Sequence, residues 1–155
     1  MKKLLALLIV SAVFAACNNE SSDAHVHNTN TVDTNTVSEA PVAERITLKK
    51  DGKWNADAAT NKNVSSLQQT AAQLNKQPRN TAEDYHAVST ELQTGLNQLI
   101  KECKMKGADH DALHLWLEPV LTETKELKGV TDTVSGERLF HSIRTRLLDY
   151  NLYFN

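Results

Sequence analysis

One run of apolar residues limits what this chain can fold into more than any other feature. Between residues 85 and 103, apolar side chains recur every three or four positions: Tyr85, Val88, Leu92, Leu96, Leu99 and Cys103. This spacing places all of them on one side of an α-helix. Such a helix is stable in water only when other helices cover its apolar side, so the spacing predicts a helical bundle.

Three other segments show helical spacing. The first predicted helix covers residues 57–75, the third runs from Asp109 to near Gly129, and the fourth starts within residues 133–136 and runs to the C-terminus. Their apolar positions are Val64, Leu67, Ala71 and Leu74, then Leu113, Leu117, Val120, Thr124 and Leu127, then Leu139, Phe140, Ile143, Leu147, Tyr150 and Phe154. With five glycines and three prolines, the composition also favours helices over a turn-rich β fold.

Several residues predict where these helices begin and end. Thr81 is expected to cap the second helix, and Asp84 three residues later completes a capping box. Gly107 is expected to end that helix, and Asp109 to cap the third. Pro119 lies within the third helix and predicts a kink there.

Four amphipathic helices with short connections pack most simply as an up-down-up-down bundle. The predicted fold class is therefore all-α, with the bundle domain at residues 45–155. Ahead of the first helix, the alternation of Ile46 and Leu48 with polar residues predicts a short extended arm. Trp54 follows the arm and is expected to be a packing anchor for the first helix.

The N-terminal segment has the pattern of a bacterial export signal. Two lysines precede the apolar run Leu4–Phe14, and Ala15-Ala16 precede Cys17. A cysteine directly after two small residues resembles a lipobox, which implies cleavage after residue 16 and acyl chains, such as palmitate, on Cys17. An ordinary secretory signal and a retained membrane helix are the alternatives, and the run is short for a span of about 20 residues.

Residues 17–44 are polar and nearly free of large apolar side chains, which predicts a disordered tether. Removal of residues 1–16 takes two of 17 basic residues and no acid, which leaves 15 basic against 19 acidic side chains. No basic stripe is present, so nucleic acid is not an expected partner. The expected location is the cell envelope, with the lipid as anchor. Asn18, which is not an aspartate, indicates the outer membrane by the sorting rule of some bacteria.

Four residues with side chains that can bind metals occur in or next to the turn between the second and third helices. Cys103, Met105, His110 and His114 occur within twelve residues, and the two histidines are one helical turn apart. Thiolate and thioether favour Cu(I), and imidazole suits copper and zinc. The sequence therefore predicts a transition-metal site, with copper, Cu(I) or Cu(II), as the first candidate.

Other interpretations of the same residues stay open. Zinc could bind Cys103, His110 and His114 with Asp109, Asp111 or water. Each residue alone is also typical of a plain helical turn: a buried cysteine, a methionine that fills a gap, and two surface histidines. A catalytic interpretation makes Cys103 a nucleophile with a histidine base, but no oxyanion device or glycine-rich loop accompanies it, so no enzyme activity is expected.

The combination of motifs resembles a group of small helical lipoproteins from Gram-negative bacteria. The shared features are Asp51-Gly-Lys-Trp54, Cys103-Lys-Met105-Lys-Gly107, His110-x-x-Leu-His114-x-Trp116-Leu117, Pro119 and Asn151-Leu-Tyr153-Phe154, over residues 45–155. The resemblance implies a role in handling heavy metals, copper above all.

Two alternative functions are therefore considered. The first, which is the leading hypothesis, is a lipid-anchored envelope protein that binds a metal at the hairpin, for capture or for hand-over to a partner protein. The second is a metal-free helical module, tethered to the membrane, that binds an envelope protein.

Overall fold

A computed structural model describes residues 45–155. This part of the chain consists of four helices and contains no strand: α1 (Ala58–Leu74), α2 (Ala82–Glu102), α3 (Gly107–Leu127) and α4 (Thr133–Tyr153). The prediction of an all-α four-helix bundle is confirmed. The predicted signal peptide, the lipid site at Cys17 and the tether at residues 17–44 lie outside the described residues.

Consecutive helices pack against each other, and α4 also contacts α1 and α2. The predicted apolar faces meet in one hydrophobic core. Its most deeply buried side chains include Phe140, Ile143, Leu99, Val120 and Leu127, each with no exposed surface. Burial of one such side chain contributes about 1.5–3 kcal/mol, so the core is the main source of stability.

Three of the four helices begin with a side chain that accepts a backbone N–H. Asp57 accepts from the Thr60 N–H at 2.6 Å, and Asp132 accepts from the Ser135 N–H at 2.8 Å. Thr81 and Asp84 form the predicted capping box at the start of α2. These caps satisfy N–H groups that have no partner inside the helix.

The predicted boundary between α2 and α3 is wrong. α2 ends at Glu102, and Cys103 is its C-cap with extended backbone, φ −60° and ψ 128°. Gly107 does not end α2; it is the first residue of α3, with φ +65°. Lys106 is the N-cap, without a side-chain hydrogen bond, because the ammonium group of lysine cannot accept a backbone N–H.

The arm forms no strand and instead joins the C-terminus by isolated contacts. The Trp54 N–H donates to the Tyr153 carbonyl at 2.7 Å, and the Asn155 N–H donates to the Trp54 carbonyl at 3.1 Å. The indole Nε1 of Trp54 donates to the Thr47 carbonyl at 2.7 Å, and the ring packs on the edge of the core. Trp54 therefore fastens the arm to the C-terminus.

None of the four helices in residues 45–155 is both long enough and apolar enough to cross a membrane.

Candidate functional site

His110 and His114 lie side by side on the first two turns of α3. Their ring centroids are 4.5 Å apart, and the rings meet edge to face at 82°. The contact follows from the sequence, because residues four apart project from the same side of a helix. His114 is exposed and His110 is half-buried, so the pair is open to solvent on one side.

The two sulfur-bearing residues lie in the non-helical connection from Cys103 to Lys106. Cys103 is a free thiol, and both Cys103 and Met105 are half-buried against the edge of the core. Cys103 is close enough to Tyr150 to affect its ionisation. Burial first, and then the charges of Asp57 and Cys103, raise the pKa of the Tyr150 phenol.

Tyr150 belongs to an aromatic cluster at this end of the bundle. Its ring stacks on Phe154 at a centroid distance of 4.7 Å and meets Trp116 edge to face at 4.9 Å. Its hydroxyl donates to Oδ1 of Asn61 at 2.8 Å. Cys103 is therefore half-buried at the edge of the core, close to the ring of this cluster whose pKa it affects.

The structure brings two of the four predicted ligands together. Across residues 45–155, no three histidine, cysteine, aspartate or glutamate side chains form a group that could hold a metal ion. His110 and His114 form a pair, whereas Cys103 does not join them in such a group. A site that uses all four residues is thus not preformed in this conformation.

Asp109, a possible zinc ligand, is instead bound to the arm. Its Oδ1 accepts the Asn55 N–H at 3.1 Å and Nζ of Lys49 at 3.4 Å. The hydrogen bond from Asn55, followed by the charge of Lys49, lowers the pKa of Asp109. The carboxylate therefore fastens the arm to the start of α3, next to the histidine pair.

Asp57 holds the connection that carries Cys103 and Met105, although its sequence position indicates only the start of α1. Its Oδ2 accepts the Lys104 N–H at 2.8 Å while Oδ1 caps α1. Burial acts to raise the pKa of Asp57, but the hydrogen bonds from Thr60 and Lys104 outweigh it and lower that pKa. The capping role has a sequence signal, an aspartate just before an amphipathic segment. The contact with Lys104 has none, because the two residues are 47 positions apart.

Comparisons of this chain with protein-family models, with curated proteins and with solved structures found no match in any of the three.

Proposed function

We propose that this protein captures a transition metal, copper before zinc, at the α2–α3 hairpin and hands it to a partner protein. His110 and His114 would take the metal first, and Cys103 and Met105 would add sulfur ligands. The observation that supports this most directly is the 4.5 Å pair of imidazole rings, open to solvent on one side.

The chemistry of the residues favours copper. Imidazole binds Cu and Zn, whereas the thiolate and thioether close by select Cu(I). Because residues 45–155 hold no preformed three-ligand group, completion of the site would require Cys103 and Met105 to move towards the histidines when the metal binds. The Cys103–Lys106 connection is non-helical over four residues. The Cys103 N–H donates to the Leu99 carbonyl and the Lys104 N–H to Asp57, so a change at Met105 and Lys106 would leave both of these bonds in place.

A metal site that is open to solvent on one side is better suited to metal transfer than to catalysis. Because the histidine pair is open to solvent on one side, the ligands of a partner protein could reach a metal bound there. We therefore propose capture and delivery and no enzyme activity. The bundle would have up-down-up-down connectivity, which places the hairpin at one end of the molecule.

The proposal includes membrane anchoring. Cys17 would carry the lipid, residues 17–44 would act as the tether, and the domain would lie in the cell envelope, at the outer membrane. The support is the basic, apolar and small-residue pattern that precedes Cys17. Labelling of expressing cells with radioactive palmitate tests this part, since Cys17→Ser should abolish the label.

The metal site is tested by anaerobic titration with Cu(I) against a competing chelator. We expect one Cu(I) per chain, and at least about tenfold weaker binding after Cys103→Ser or His114→Ala. His141→Ala is the matched control, because His141 is an exposed histidine on α4. An unchanged affinity in the Cys103→Ser, His114→Ala double variant would contradict the proposal.

A metal-free interaction module is the second candidate, supported by two leucines on α4. Leu148 and Leu152 are one turn apart and 60% and 59% exposed. Large apolar side chains exposed together often mark a protein-binding surface. A photo-crosslinker at Leu148 in intact cells should give a discrete adduct that a crosslinker at Thr145 does not. Identical yields at the two positions would contradict this candidate.

A further inference from the structure

A second candidate site lies in a cleft bounded by the arm, α3 and α4. Its volume is about 580 Å³, within the range of small-molecule sites. Its apolar lining includes Ile46, Leu115, Pro119 and Tyr153. Its charged lining consists of Arg146 and Asp149 on α4 and Arg45 on the arm. The cleft uses none of the predicted metal ligands.

Arg146 and Asp149 do not neutralise each other. Nε of Arg146 bonds Oε1 of Glu123 at 2.9 Å, whereas Asp149 has no ion-pair partner within residues 45–155. The Arg146 side chain is 43% exposed, and its two terminal nitrogens have no acceptor among the described residues. Residues three apart on a helix have Cβ atoms about 5–6 Å apart, so one small molecule can reach both charges.

The guanidinium is held in place before any ligand arrives. Glu123, which binds it, also accepts the Ser142 hydroxyl at 2.9 Å, so the carboxylate is itself positioned. On the other side, Nε1 of Trp116 donates to the Arg146 carbonyl at 2.9 Å and ties this turn of α4 to α3. A prearranged guanidinium loses little freedom when it binds a carboxylate through its two terminal nitrogens.

The α3 wall adds a hydrogen-bond acceptor. Pro119 has no N–H, so the Leu115 carbonyl, four residues earlier, lacks its usual helical donor. Both residues line the cleft. The cleft thus combines two free guanidinium nitrogens for an anion, a carboxylate and a carbonyl for a cation, and several apolar side chains.

We propose that this cleft binds a small zwitterion with an apolar side group, of the class of hydrophobic amino acids. The carboxylate of the ligand binds Arg146, and its ammonium group binds Asp149 and the Leu115 carbonyl. The side group lies against Ile46, Pro119 and Tyr153. This inference is independent of the proposed metal site.

Three related probes test the charge pattern: L-phenylalanine, 3-phenylpropionate, which lacks the ammonium group, and 2-phenylethylamine, which lacks the carboxylate. Each is titrated into the ¹⁵N-labelled full chain in the presence of a metal chelator, and the indole resonance of Trp116 is followed. We expect saturable shifts, with L-phenylalanine at least about fivefold tighter than either analogue. Equal affinity for L-phenylalanine and either analogue, or no saturable shift at millimolar L-phenylalanine, would overturn the proposal.

Asp149→Asn should weaken the binding of L-phenylalanine without weakening the binding of 3-phenylpropionate. The variant should bind L-phenylalanine about fivefold more weakly and 3-phenylpropionate at least as tightly as the parent, because only the zwitterion uses the lost negative charge. A misfolded variant would lose both. Glu126→Gln, at an exposed acidic residue of α3 outside the cleft, is the matched control and should change neither. Unchanged L-phenylalanine affinity in Asp149→Asn would also overturn the proposal.

Discussion

The carboxylate of Asp57 accepts the backbone N–H of Lys104 at 2.8 Å and thereby joins the start of α1 to the connection between α2 and α3. This hydrogen bond explains why α2 stops at Glu102. Once Asp57 takes the Lys104 N–H, that group is not available to extend the helix, and Cys103 adopts extended backbone. The position of the thiol at the end of the bundle therefore depends on a residue of another helix.

Removal of the Asp57 carboxylate should weaken both elements that it joins. We expect Asp57→Ala to lower the free energy of unfolding by about 2 kcal/mol, since it removes a helix cap and leaves the Lys104 N–H without its acceptor. Chemical denaturation measures the difference. Asp51→Ala, at an exposed turn residue of the arm, is the control and should change stability by less than about 0.5 kcal/mol. Equal stability of the two variants would contradict the role assigned to Asp57.

Acid should destabilise the bundle through its capping carboxylates. Hydrogen bonds from backbone N–H groups lower the pKa of Asp84 and of Asp132. At Asp57, hydrogen bonds of the same kind lower the pKa although burial acts to raise it. A lowered folded-state pKa means that the unfolded chain binds protons first as the pH falls. The stabilisation is therefore complete above the ordinary aspartate pKa of about 3.9 and is lost below it.

Denaturation curves between pH 7 and pH 2.5 check this dependence. Stability should change little down to about pH 5 and fall steadily below it. Asp84→Asn should reduce the size of the fall, because one of the linked groups no longer titrates. A stability that rises as the pH drops from 5 to 3 would show the opposite sign and contradict the assignment.

Gly136 is required by the ring of Tyr85. A Cβ on Gly136 would meet Cγ and Cδ2 of that ring at 2.5 Å. The ring cannot easily move, because its hydroxyl donates to Glu137 at 3.0 Å and Arg79 lies 5.8 Å from its centroid. We expect Gly136→Ala to cost about 1–3 kcal/mol, measured by thermal and chemical unfolding, even though alanine is the better helix former.

Gly95→Ala is the matched control for that substitution. Its Cβ would meet Leu67, with the nearest contact at 2.6 Å to Cδ2, the free end of a flexible side chain. A small rotation of the Leu67 side chain relieves the contact. The gain in helix propensity of about 1 kcal/mol offsets the remaining steric cost. Gly95→Ala should therefore be milder than Gly136→Ala. The reverse order would show that the Tyr85 ring is free to move.

The proposed metal site predicts a change in the reactivity of Cys103. Alkylation of the thiol should slow by at least about tenfold when one equivalent of Cu(I) is added, because a metal-bound sulfur is a poor nucleophile. His114→Ala should remove this protection, and His141→Ala should leave it intact. Equal alkylation rates with and without Cu(I) would favour the metal-free module.

The sequence determined the helices because their signals are local. Apolar residues three or four positions apart predicted α1 to α4, and Thr81 with Asp84 predicted the start of α2. The pairing of His110 and His114 follows from the same geometry. Each of these interactions joins residues within about one helical turn, so nothing distant competes with it.

The tertiary structure decided what joins the helices and what surrounds each site. Gly107 and Asp109 have the residue types of a helix end and a cap, yet Asp57 ends α2 early and the arm takes the Asp109 carboxylate. The cleft beside Arg146 and Asp149 likewise exists only because the arm and α3 close over α4. Such hydrogen bonds and surfaces join residues far apart in the chain. The spacing of apolar residues along the sequence does not predict which distant partner a donor or acceptor will meet once the core has packed.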